Sequence, residues 1–169
     1  MNNIILETES ALRMGLYNIA LQSTLAIPDI CAALNSENGE TSGKKYIAWF
    51  NENVPLLCDD YLDGEGVYNL RCSLLHQGKF THPKQKYDRI IFQPPNKNKI
   101  IIHKMIAKMN DENVLILNLT KFCDDILLSA KIWSFRNQNS ENYKNNSINL
   151  IQMNNNGYNN IIMGLPMIF

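Results

Sequence analysis

"VYNLRCSLLHQG", residues Val67 to Gly78, is the stretch from which the rest of this chain is read. It places Arg71 and His76 near the end of a short amphipathic helix, and Gly78 suits the left-handed residue that closes one. Asp63 is a natural N-cap for the same helix. Nothing else in the chain joins a permanent cation, a titratable imidazole and a helix end so closely. Five residues along an ideal helix turn through about 500°, roughly 140° net. Arg71 and His76 are therefore not expected on one face unless His76 lies in the last turn or just past it, where the helix unwinds.

These residue types fit the cleavage of RNA by internal transesterification. A base must take the proton of a 2'-hydroxyl, an acid must protonate the leaving 5'-oxygen, and positive charge must stabilise the transition state. Histidine serves either proton role near neutral pH. Arginine keeps its charge and grips phosphate with a planar fork. Two copies related by a two-fold axis would set two Arg and two His around one phosphate.

The segment "RCSLLH", Arg71 to His76, within "YNLRCSLLHQG", resembles the motif of the HEPN family, an Arg and a His separated by about four to six residues. The preceding "ALRMGLYNIALQSTLAIPDI" and "KKYIAWF" are compatible with that family's helical bundle. The resemblance covers about the first 80 residues and the helix near 120 to 137, and Cys72 stands where the family often has a polar residue. It implies an antiparallel helical bundle and a homodimeric, metal-independent endoribonuclease with Arg71 and His76 as catalytic residues. A toxin or phage-defence role, with an antitoxin or defence partner, follows from the same resemblance. So does the alternative of an inactive module that binds RNA or protein. Tyr68, Ser73, Lys79, Lys84 and Lys86 complete the candidate substrate-binding set. On the residues alone, Tyr68 reads as a bundle or dimer contact and Ser73 as small packing. The basic run "KFTHPKQKYDR" reads as a solvated loop or as a guide for RNA.

Working outward, residues about 7 to 26 carry Leu12, Gly15, Leu16, Ile19 and Leu25 near one helical stripe. Pro28 is expected to break that helix and to start a short new one, "PDICAAL", with Asp29 favourable at its first turn. Thr41 or Ser42 is expected to cap a helix over Lys44 to Asn53, its apolar face being Tyr46, Ile47, Trp49 and Phe50. "DRIIFQPPNKNKIIIHK" reads as a hairpin around its Pro-Pro-Asn, and "NVLILNL" as a third strand. A last helix, "TKFCDDILLSAKIWSFRN", takes Thr120 as its N-cap. The tail has two apolar runs around an Asn-Gly, a hairpin signal. The expectation is a single mainly α domain over residues 1–169. It has a small antiparallel β insertion at about 88–119 and an Asn-rich tail at about 138–169.

Bulk properties narrow the class. Lys+Arg and Asp+Glu each count 16, so the formal net charge is zero and any RNA contact must be local. Hydrophobic residues make up 45% and charged residues 19%, as in a globular chain. No apolar run reaches the roughly 18 residues that cross a bilayer, and the acidic start "MNNIILETES" is unlike a signal peptide. A cytoplasmic protein with reduced cysteines and no membrane contact is expected. Neither a cofactor nor a metal is expected. His76, His82 and His103 lack ligand spacing, and the adjacent pairs Asp59–Asp60 and Asp124–Asp125 diverge by about 100° on a helix. Cys72, one turn before His76, has no orienting third group for nucleophilic chemistry.

Overall fold

The computed structural model describes every residue except Asp60 and Asn160, with Met109 described by its backbone alone. The described residues are mainly helical. The helices are α1 (Asn2–Arg13), α2 (Tyr17–Asn35), α3 (Gly43–Asn53), α4 (Gly64–Gln77), α5 (Leu119–Asn137) and α6 (Glu141–Ser147). α2 is the central element and packs against all five others. Its apolar residues Leu21, Leu25, Ile27 and Cys31 join Tyr46, Phe50, Leu70, Phe122 and Ile126 in one core. No helix is long and apolar enough to cross a membrane among the described residues.

The helix boundary near the start differs from expectation. The break falls at Gly15 (φ +75°), not at Pro28. There the Leu16 N–H reaches Ala11 O at 2.9 Å and the Gly15 N–H reaches Leu12 O at 3.1 Å, the bond pattern of a left-handed helix end. Pro28 sits inside α2, buried with Leu25 and Ile27. Burial of both flanks there outweighs the one helical N–H that proline lacks. "PDICAAL" is therefore the second half of α2. Leu16 and Ile19, expected on the buried stripe, are exposed, whereas the caps of α3 and α4 and the end of α4 stand where the sequence signals place them. Ser42 accepts from Lys45 N at 3.3 Å, Asp63 accepts from Gly66 N at 2.8 Å, and Gly78 closes α4 with φ +64°.

The β insertion is placed as expected but paired differently. Strands β1 (Arg89–Gln93), β2 (Met105–Met109) and β3 (Glu112–Asn118) form one sheet in the order β1-β3-β2. β1 runs parallel to β3, and the hairpin joins β2 to β3. Its turn is Asn110–Asp111, both with positive φ, as a two-residue hairpin of this hand requires. Residues 94 to 104 form no ladder, and side-chain amides take the backbone groups of Ile100 and Ile102. Gln93 Nε2 donates to Ile100 O at 2.9 Å, and Gln93 Oε1 accepts from Ile102 N at 2.7 Å. β3 is then the central strand, which explains its unbroken apolar run.

The tail holds α6, which the sequence reading missed, and two short pairings. β4 (Met153–Asn154) pairs with β7 (Met167–Ile168), and β5 (Gly157–Tyr158) with β6 (Ile162–Met163). The reversal lies between Tyr158 and Ile162, so Gly157 is a strand residue and not the turn. The asparagines have structural work here. Asn146 Nδ2 donates to Ser36 O at 2.7 Å and to Ala33 O and Leu34 O at 3.2 Å, and Asn142 donates to Asn35 O at 3.0 Å. Leu34 O and Asn35 O lie in the last turn of α2, where a helix leaves carbonyls without a backbone donor, while Ala33 O and Ser36 O also accept from the Ser36 and Gly39 N–H groups.

The cap of α5 is Asn118, the last residue of β3, which accepts from Lys121 N at 3.0 Å; Thr120 lies inside the helix. The strand thus feeds the helix without a loop. Asn118→Ala is expected to cost about 1 kcal/mol. Thr120→Ala is expected to cost under about 0.5 kcal/mol. Urea unfolding distinguishes the two, and equal losses would refute Asn118 as the cap.

Candidate functional site

α4 carries Arg71 and His76 on the bundle surface, and α2 supplies their partner. Arg71 Nε donates to Asp29 Oδ2 at 2.8 Å, with side-chain exposures of 22% and 15%. Arg71 Nη1 lies 3.0 Å from His76 Nε2. His76 does not leave the helical path, since α4 continues through Gln77. The length of the arginine side chain bridges the angular gap instead. Arginine can only donate, so this geometry makes His76 Nε2 the acceptor and puts the ring proton on Nδ1.

Asp29 is the partner that sequence reasoning missed. It had been placed at a helix start, where a carboxylate needs no partner but the dipole. The available signal was its isolation, for Asp29 is the only charged residue in α2. Thr41 Oγ1 also reaches Asp29 Oδ1, at 3.5 Å. Burial pushes the Asp29 carboxyl above its ordinary range, and the charge of Arg71 pulls it only part of the way back. Burial acts to lower the Arg71 guanidinium, but Asp29 and, after it, Cys72 together offset this and leave it raised.

Tyr68 lies one turn before Arg71 and packs inward. Its ring stands 5.2 Å from that of Tyr46, and a Cβ on Gly43 would meet it at 2.8 Å. Tyr46 in turn donates from its hydroxyl to Leu25 O at 3.0 Å. The Cys72 thiol beside the Tyr68 phenol, more than burial, raises its pKa. Tyr68 is thus a contact between α3 and α4 that borders the Arg71 site. Cys72 is half-buried, as is Cys58, whereas Cys31 and Cys123 are buried, and all four are free thiols.

The remaining candidates lie elsewhere. Ser73 is 1% exposed and offers no hydroxyl to the surface. The segment around Lys84 covers the face of α4 that bears Gly66 and Asn69. Asn69 Nδ2 donates to Lys84 O at 3.3 Å and Gln85 Nε2 to Gly66 O at 3.0 Å. Arg71 is two residues past Asn69, about 200° around the helix. Within one chain, Lys84 and Lys86 therefore stand across α4 from Arg71. Lys79 is exposed just beyond Gly78, with His76 and Gln77 exposed before it.

Among the described residues no group of three or more His, Cys, Asp or Glu is placed to hold a metal ion. Asp59 accepts from the Tyr61 and Leu62 N–H groups and pairs with Lys104, while Asp60 lies outside the described residues. Burial raises both Asp124 and Asp125.

The raised Asp29 carboxyl has a pH signature. A carboxyl raised on folding contributes most to stability below its ordinary value of 3.8, and that contribution is lost as pH rises through the raised value. Asn cannot ionise. The stability of Asp29→Asn relative to wild type should therefore increase between about pH 4 and about pH 7. Urea midpoints at both ends measure it, and a difference that stays constant or falls would overturn the assignment.

Comparison with family models, with curated proteins and with solved structures finds no match to this chain.

Proposed function

We propose that the chain is a metal-independent endoribonuclease of HEPN type that acts as a homodimer on RNA. The observation that carries this reading is the 3.0 Å approach of Arg71 Nη1 to His76 Nε2, made from a helix surface where both reach solvent. In this reading Arg71 turns from His76 to the phosphate when RNA binds, and the Nε2 lone pair it frees takes the proton of the 2'-hydroxyl. The 2'-oxygen attacks the adjacent phosphorus, held by Arg71. The bond to the 5'-oxygen breaks, and that oxygen takes a proton from His76 of the second copy. The products are a 2',3'-cyclic phosphate and a 5'-hydroxyl. A toxin or phage-defence setting in the cytoplasm, with an antitoxin or defence partner, belongs to the same proposal.

One observation favours the second reading, a HEPN-like module that binds RNA or protein without cleaving it. Asp29 already neutralises Arg71, and a phosphate at the guanidinium must approach that carboxylate.

Purified protein incubated with RNA in EDTA tests both. His76→Ala and Arg71→Ala should each lower the cleavage rate by about 10²- to 10⁴-fold while leaving the chain folded. Cleavage that survives either change refutes the catalytic assignment. RNA retained but uncut by the wild type, released by Lys84→Glu with Lys86→Glu, would select the binding module.

A further inference from the structure

A second site lies on the opposite face of α4. Asp59, residues 61–63 and residues 84–87 line, with α4, a cavity of about 460 Å³ that opens to solvent. This lies within the range of roughly 300–1,000 Å³ typical of small-molecule sites. Its wall includes Tyr87, which is only 5% exposed and whose buried hydroxyl has no hydrogen-bond partner among the described residues. Burial raises the Tyr87 phenol, with further contributions from Asp59 and Tyr61, both in the same wall. A buried hydroxyl without a partner is unfavourable in a folded chain unless something else completes it.

Four side chains of the wall are set in place by their own bonds. The amides of Asn69 and Gln85 are oriented by backbone carbonyls of Lys84 and Gly66. Asp59 is neutralised by Lys104, and Asp63 is held as the cap of α4. Lys84 is exposed at the rim, and the Lys86 ammonium lies 5.8 Å from the centre of the Tyr87 ring. Aromatic rings beside planar amides suit a base and its edge, carboxylates suit sugar hydroxyls, and lysines suit phosphate.

We propose that this cavity binds one nucleoside monophosphate unit, free or within an RNA chain, with the Tyr87 hydroxyl completing a hydrogen bond to it and Lys84 contacting its phosphate. The site is separate from Arg71 and His76, and it does not depend on their being catalytic.

The test uses the full chain, isotopically labelled, titrated with AMP, GMP, CMP and UMP and with short single-stranded RNA. Saturable shifts at the Gly66, Asn69 and Gln85 amides are expected with at least one of them. Tighter binding of the mononucleotide identifies a free nucleotide, and tighter binding of the RNA identifies a splayed-out base. Tyr87→Phe should weaken that binding about tenfold while leaving the urea midpoint unchanged or higher, since the lost hydroxyl had no partner. Lys84→Ala should weaken it and reduce its salt dependence. His76→Ala should leave the mononucleotide shifts at the Gly66, Asn69 and Gln85 amides unchanged, so failure of the nuclease reading and failure of this one are told apart. The proposal is overturned if no nucleotide or RNA shifts these amides, or if Tyr87→Phe binds as wild type. It is equally overturned if spermidine alone shifts them, which would mark the cavity as a cation site.

Discussion

The ion pair between Asp29 and Arg71 joins the central helix to the motif helix across 42 residues of sequence. Without it Arg71 would be a long, mobile side chain on an exposed face. With it the guanidinium is turned along α4 towards His76. The same corner is closed from the other side by Tyr68 against Tyr46 and Gly43, and by the Tyr46 hydroxyl on α2. The positions of α2, α3 and α4 therefore determine where the candidate catalytic atoms stand.

The two partners gain unequally from this arrangement, for burial raises the Asp29 carboxyl while Asp29 helps to hold the Arg71 charge. The carboxylate loses more by leaving water than Arg71 returns, which is why its pKa rises despite a cation at 2.8 Å. Partly buried pairs often contribute little net stability for this reason. What the pair does supply is direction. Asp29 uses one carboxylate oxygen and one guanidinium N–H, and His76 meets a different nitrogen. Arginine has five N–H donors, so most remain for a further ligand. The carboxylate orients the guanidinium without consuming it.

Local signals in the sequence located much of the fold. Ser42, Asp63 and Gly78 each act within three or four residues, and each occupies the role its chemistry favours. Pro28 was misread because a proline's local cost was weighed without the burial on both sides of it. The parallel pairing of β1 with β3 was hidden for a related reason. Two apolar runs flanking a turn imply a hairpin unless side-chain amides in the turn itself, here Gln93 and Asn96, capture the second run. At the site, the Arg71–His76 pair was visible and its geometry was not, since rotation per residue ignores side-chain length. Asp29 could be found only by asking why an uncharged helix keeps one charge.

The two faces of α4 impose a further constraint on how RNA could be held. At Arg71 the formal charges of Asp29 and Arg71 cancel, so that face attracts phosphate through oriented donors more than through net charge. The lysines that would provide long-range attraction lie across the helix, beside the Tyr87 cavity. An RNA chain engaging both must pass around the end of α4. That end is open, for His76, Gln77, Gly78 and Lys79 are all exposed. Gly78 turns the chain there with nothing within 4 Å of where its Cβ would stand. On the proposed reading Lys79, exposed at that end of α4 between its two faces, is the cation nearest to where the helix stops.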